Sequence, residues 1–292
     1  MSIDVIPLNT YFGAEIRGLD LSQPLSDTDF EAWSDAFAKY RLLLFRDQHF
    51  SEDQHVEFSK HFGGLEDFVD SKDQVNSHTD ILRVSNIWQD TDAIKPVDDP
   101  GHKSFTLGTS GWHIDSSFRK VPGKASLLFA IEIPPEGGGT GFADMVSAYE
   151  GLSDEKKAQC DELTVIHDFE EARRRYGLLP RMEEIRVANP SVMHPLVRTL
   201  PDGKKCLFLG SHTSYVLGME QYEGRKFLDG LNDWTTQEKY TFFHDWNEGD
   251  LVMWDNLALM HRAMPYDLEN HRRLLHRTTV LGDGPVGEVM NS

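Results

Sequence analysis

The chain has 292 residues and carries 48 acidic against 29 basic side chains, a net charge of −19 spread along its length, which argues against nucleic acid and anionic membrane surfaces as partners. No apolar run approaches a bilayer span, the start Met1-Ser2-Ile3-Asp4 has no basic or apolar leader, and two cysteines, Cys160 and Cys206, build no disulfide framework. The expectation is a cytoplasmic protein with one domain over residues 1–292, in which an anionic ligand needs a local cation to overcome the overall field.

Residues 3–12 and 14–21 alternate loosely and predict two short strands. Ser26-Asp27-Thr28-Asp29 resembles a capping box, and Phe30, Trp33, Phe37 and Tyr40 follow at helical spacing. Arg41 to Phe45 reads as a buried strand. A second capping box, Ser51-Glu52-Asp53-Gln54, opens a helix carrying Phe58 and Phe62, which Gly63-Gly64 stops. Residues 66–110 are polar and punctuated, with one strand candidate at 81–87, and predict a loop at the rim of a site.

Gly111 to Phe118 reads as an extended strand. Residues 125–133 and 140–144 are strand patterns joined by the turn Pro134-Pro135-Glu136-Gly137-Gly138-Gly139; no Lys-Ser or Lys-Thr follows it, so the glycines are not a phosphate loop. A short helix is expected after Ser153 and a strand over 164–169. Residues 170–189 form a charged insertion, either a solvated segment or a lid. Strands at 193–199 and 206–209 flank the turn Pro201-Asp202-Gly203, a helix runs from about 220 to 234, and strands at 239–246, 251–254 and 273–280 complete the chain. Many short strands with sharp turns, and helices gathered early, predict a mainly β sandwich or barrel with helical cover.

The chemistry gathers at His113-Ile114-Asp115. Side chains two apart on a strand share a face, so both can reach one metal ion, and His261 is the best third ligand. Two imidazoles and one carboxylate leave the opposite coordination positions open, as in non-heme iron oxygenases. The pattern alone is weak, because His78-Thr79-Asp80 repeats it; His55-Val56-Glu57 falls on a predicted helix, where residues two apart diverge. Such a centre needs an electron donor, commonly 2-oxoglutarate. Arg273 can fork onto its far carboxylate, with Thr140 completing the grip, and Arg277 shares the strand face with Arg273 and predicts a second anion, the substrate; the alternative is that both arginines pair with protein carboxylates or sit exposed.

Phe45-Arg46-Asp47-Gln48, His61-Phe62-Gly63, residues 111–118, residues 134–140, His194 to Thr199, residues 249–262 and residues 272–279 together resemble the taurine and 2,4-dichlorophenoxyacetate dioxygenase family of iron(II), 2-oxoglutarate-dependent oxygenases. The resemblance implies a double-stranded β-helix (a cupin-like jelly roll), Fe(II) on His113, Asp115 and His261, 2-oxoglutarate and O2 as cosubstrates, and Thr140 and Arg273 as the 2-oxoglutarate grip. It also places Arg277 at the substrate's acid group and makes the variable stretches near 66–110 and 170–190 the walls of the substrate pocket. The implied substrate is a small organic anion, a carboxylate ahead of a sulfonate or sulfate ester, hydroxylated with or without cleavage of a C–O or C–S bond. A zinc-dependent hydrolase on the same three ligands and a non-catalytic binding protein are the alternatives. The oligomeric state stays open, a homo-oligomer included.

Overall fold

Leu42–Phe45 is buried at every residue, as a strand covered on both faces must be. In the computed structural model, which describes residues 3–9, 11–68, 74–284, 286 and 288–289, this strand lies near the middle of a seven-stranded sheet. The order across the sheet is Asp4–Pro7, Ala14–Arg17, Leu42–Phe45, Leu251–Asp255, Ala125–Glu132, Leu274–Val280, Leu82–Ser85. All neighbours run antiparallel except Ala14–Arg17 and Leu42–Phe45, which run parallel. Opposite it lies a three-stranded sheet ordered Thr241–His244, Thr140–Asp144, Leu259–Ala263. Leu42, Leu44, Leu128, Val252, Trp254 and Leu275 meet Phe142 and Leu259 between the two sheets. The outer face of the large sheet is covered by the helices Asp27–Tyr40 and Glu52–Lys60, through Trp33 and Phe58 packed on Leu43, Phe45 and Met253. This is a double-stranded β-helix with helical cover.

The two helix starts differ in a way the sequence did not separate. Ser51 and Gln54 cap each other reciprocally, Ser51 N–H donating to Gln54 Oε1 at 2.8 Å and Gln54 N–H to Ser51 Oγ at 3.3 Å. At Ser26 only half of the box forms: Asp29 N–H donates to Ser26 Oγ, and the Asp29 carboxylate takes the Ser26 hydroxyl instead of the backbone N–H. Aspartate is one methylene shorter than the Glu or Gln that closes a box.

Three expectations need correction. Residues 100–110 are a helix, Pro100–Ser110, rather than the end of a loop; Asp99 caps it and Pro100 opens it, but only His102 is buried, so no apolar periodicity marked it. Gly111 to Phe118 is no regular strand: His113 makes a single antiparallel bridge to His261, and the chain then turns, with Ser116 at φ 55°. The helix Met145–Glu150 and the strands Thr213–Val216 and Leu259–Ala263 lie where no element was expected. The charged insertion holds two short helices, Glu171–Arg175 and Glu183–Ala188, the first against Pro100–Ser110, with Arg173 bonded to Ser104. Both cysteines are buried and free. No helix among the described residues is long and apolar enough to cross a membrane.

Candidate iron centre and cosubstrate site

The bridge between His113 and His261 is closed by two reciprocal backbone hydrogen bonds of 2.9 Å, His113 N–H to His261 O and His261 N–H to His113 O. Gly210 packs directly on the His113 backbone: at φ 153°, a Cβ there would lie 3.2 Å from His113 Cα. The imidazoles stand 4.2 Å apart, centre to centre, and Asp115 faces both, its carboxylate oxygens 3.9 Å from His113 Nε2 and 3.7 Å from His261 Nε2. These gaps are too long for hydrogen bonds and suit a shared cation. The ligand atoms lie within 4.8 Å of one another, all three residues are buried, and no other such group of His, Cys, Asp or Glu occurs among the described residues.

The donor chemistry fits a divalent metal. His113 donates Nδ1–H to Gly111 O at 2.8 Å, which leaves the Nε2 lone pair facing inward. Burial lowers the pKa of both His113 and His261, so both are neutral. Burial would raise the Asp115 carboxyl, but Arg277, the two imidazoles and the Ser126 hydroxyl bring it far below the usual carboxylate range. Asp115 is therefore ionised.

Neighbouring strands hold that carboxylate. Ser126 Oγ–H donates to Asp115 Oδ2 at 2.8 Å, Asn256 Nδ2–H donates to Ser126 Oγ at 2.8 Å, and Trp254 Nε1–H donates to Asn256 Oδ1 at 2.8 Å. Arg277 Nη1–H donates to Asp115 Oδ1 at 2.6 Å. Arg277 thus has a carboxylate partner within the protein, although its Nε is buried without a hydrogen-bond partner among the described residues.

Thr140 and Arg273 form a second cluster. Trp246 Nε1–H occupies the Thr140 oxygen at 3.0 Å, so the Thr140 proton is free to be donated. Arg273 is buried, donates Nε–H to Gly138 O at 3.0 Å, and has its backbone fixed by Asn86 Oδ1. Gly138, at φ 68°, leaves room for it, since a Cβ there would lie 3.3 Å from Arg273 Cδ. Burial brings the Arg273 pKa down to about 10, so it remains a cation at neutral pH. A bulge, where Leu274 pairs with Glu132 but Leu275 with Ala130, interrupts the register just past Arg273.

The second His-x-Asp is a surface turn: His78 pairs with the exposed Asp53 at 3.0 Å and with Asp80 at 3.8 Å. His55 lies in the helix Glu52–Lys60, as expected. Sequence reading missed Ser126, Asn256, Trp246 and His212. Burial lowers the His212 pKa to about 3, with His113 the next influence, and its ring packs 5.0 Å from Phe118, which in turn meets Phe169 at 4.3 Å.

The profile of the family described as "Taurine catabolism dioxygenase TauD, TfdA family" matches residues 4–279. Similar curated proteins include the alpha-ketoglutarate-dependent 2,4-dichlorophenoxyacetate dioxygenase of Cupriavidus pinatubonensis, 34% identical across 98% of this chain and 100% of that one. Another is the (S)-phenoxypropionate/alpha-ketoglutarate-dioxygenase of Sphingobium herbicidovorans, 31% identical across 99% and 98%. Among solved structures, AAD-2 in complex with Mn(II) and N-oxalylglycine superposes with a TM-score of 0.90 at 36% identity, covering both chains completely. These likenesses decide against the zinc hydrolase and the non-catalytic binding protein. With a matching profile over nearly its whole length, relatives above 30% identity and a buried His-Asp-His set, the chain belongs to the TauD/TfdA family and is a 2-oxoglutarate-dependent dioxygenase that uses iron(II).

Proposed function

We propose that this chain is a single catalytic domain that hydroxylates a small organic carboxylate, ahead of a sulfonate or sulfate ester, in the reducing interior of the cell. His113, Asp115 and His261 would hold the iron, Thr140 and Arg273 the far carboxylate of 2-oxoglutarate, and Arg277 the acid group of the substrate. The observation that carries this reading is the division of the two arginines. Arg273 is buried with its Nε on Gly138 O, two residues before the Thr140 hydroxyl whose proton is free, whereas Arg277 lies against a candidate metal ligand with an Nε that has no partner among the described residues. A guanidinium can serve two carboxylates at once, so Arg277 can keep Asp115 while accepting a second anion.

With iron, 2-oxoglutarate and oxygen bound, the centre supplies an oxidant that converts a C–H to C–OH as 2-oxoglutarate is split to succinate and carbon dioxide. The protein contributes orientation. His113 is fixed in one tautomer by Gly111, and Asp115 is held from two sides by Ser126 and Arg277. An acid group on Arg277 would place the adjacent carbon near the three ligands, with the half-buried rings of Phe118 and Phe169 and the His212 imidazole offering an apolar wall. If the hydroxylated carbon bears an ether oxygen, the product is a hemiacetal, which breaks its C–O bond without further help. The relatives named for 2,4-dichlorophenoxyacetate and phenoxypropionate support the carboxylate; a relative named as a sulfate ester dioxygenase, at 28% identity, keeps the sulfate ester second.

The test is oxygen uptake and succinate formation across aryloxy carboxylates, sulfonates and alkyl sulfate esters. Turnover should require both iron(II) and 2-oxoglutarate and be fastest with a carboxylate. A best substrate without negative charge would refute the role of Arg277.

A further inference from the structure

A cavity of about 370 Å³ lies between the helix Pro100–Ser110 and the end of the strand Leu259–Ala263, together with the loop that follows it. Its wall includes Arg273 but none of His113, Asp115, His261 or Arg277. It therefore reaches the candidate cosubstrate arginine while staying clear of the candidate metal ligands and Arg277. From the helix, Phe105, Thr106, Thr109 and Ser110 line it, all of them half-buried.

A second guanidinium, Arg262, shares this wall. It follows His261 on the strand, so alternation turns it to the opposite face, where it lies over the Trp112 ring at 5.2 Å. Its Nε is buried without a hydrogen-bond partner among the described residues. Arg272 and Arg277 carry ion pairs, to Asp92 and Glu132 and to Asp115, whereas Arg262 and Arg273 make none among the described residues. Two cations facing one cavity with no carboxylate among its described lining residues suit an anionic visitor. In a chain of net charge −19, a dianion is repelled at long range and needs a cation within about 10 Å, the Debye length at moderate salt, to be drawn in.

We propose that this cavity is the passage through which 2-oxoglutarate enters and succinate leaves, with Arg262 drawing the dicarboxylate in and handing it to Arg273. The substrate then approaches separately, on the Arg277 side. This rests on the reading of Arg273 as the cosubstrate grip. Separate routes let succinate leave and new 2-oxoglutarate arrive without crossing the approach to Arg277.

Association can be read directly by stopped-flow tryptophan fluorescence, mixing 2-oxoglutarate with metal-loaded enzyme in the absence of oxygen. Trp246 is bonded to Thr140 and Trp112 lies against Arg262, so both ends of the route carry a reporter. Arg262→Gln should slow association on the order of tenfold at low ionic strength and flatten its salt dependence, with the KM for substrate unmoved. Thr106→Trp, which fills the cavity, should slow association at every salt concentration; should it fail to fold, Arg262→Gln stands alone. Lys103→Gln removes a charge from the exposed side of the same helix and should leave association unchanged. Equal slowing by Lys103→Gln, unchanged association in Arg262→Gln, or a rise in substrate KM instead would each overturn the passage. An enzyme whose turnover needs no 2-oxoglutarate overturns the cosubstrate reading as well; one that needs it but shows unaltered association in Arg262→Gln overturns the passage alone.

Discussion

Asp115 is gripped at both oxygens, by Arg277 and by Ser126, and Ser126 is itself held by Asn256. Replacing His113, Asp115 or His261 by Ala should abolish succinate formation and bound iron, measured by metal analysis on folded protein, while His78→Ala should leave both near the parent level. Ser126→Ala frees one carboxylate oxygen and should weaken metal affinity about 10- to 100-fold without abolishing it. Arg273→Ala removes a charge-assisted bond worth about 1.5–3 kcal/mol, so half-saturation by 2-oxoglutarate should move up about ten- to a hundredfold. Arg277→Ala should weaken the substrate far more than 2-oxoglutarate and release succinate without matching product, which a ratio of the two would reveal. His113 and Asp115 were legible as ligand candidates through residue type and spacing, whereas His261, distant in the chain, was reached through residue type and the family resemblance. Ser126 and Asn256 were not, because a serine becomes a partner of Asp115 only through cross-strand register, here Ser126 opposite Trp254 and Thr279. Arg277 was legible as a cation on the site face, but its bond to Asp115 depends on a turn at Ser116 that the alternation pattern does not encode.

Among the elements, those with their own start signals and an apolar face were read correctly, and those that depend on a neighbour were not. The helix Gln221–Thr235 buries Leu228 and Leu231 and shields Phe227 and Trp234, the face its spacing predicted. The helix Pro100–Ser110 stands over a cavity instead of a core, so its only clue was Asp99 ahead of Pro100. The unequal caps give a clean comparison. Ser51→Ala and Ser26→Ala each remove the acceptor of one backbone donor and should each cost about 0.5–2 kcal/mol in urea unfolding. Gln54→Ala removes the return bond to the Ser51 N–H, which has no counterpart at Asp29, and should destabilise further; no loss in Gln54→Ala would show that the return bond contributes nothing.

At the scale of the whole molecule, several neutral imidazoles are walled into the protein. Burial lowers His55 to about 3 and His194 and His276 to about 4, from an unfolded value near 6.5. Below pH 6.5 the unfolded chain takes up protons that the folded chain refuses, so stability is complete above that pH and is lost as pH falls toward 4, by up to about 1.4 kcal/mol per pH unit for each imidazole. Asp255, raised to about 6 by burial, works in the opposite direction but is one group against several. The melting temperature should therefore fall steeply between pH 7 and pH 5, and His194→Gln should flatten the slope; a level profile would count against these histidines. The broad architecture was legible because alternation and turns mark strands, yet their order was not, since nothing local says that Leu42–Phe45 pairs with Leu251–Asp255 or that His113 bridges to His261. That order bears on how the protein is made. Leu274–Val280 inserts between Ala125–Glu132 and Leu82–Ser85, and Arg273 and Arg277 arrive with it. On the ribosome, a chain that has emerged only as far as His261 has all three ligand candidates but neither arginine, and leaves two earlier strands without their shared neighbour. Translation stopped short of Arg273 would yield no weakened enzyme, only a sheet with open edges for chaperones or aggregation to claim.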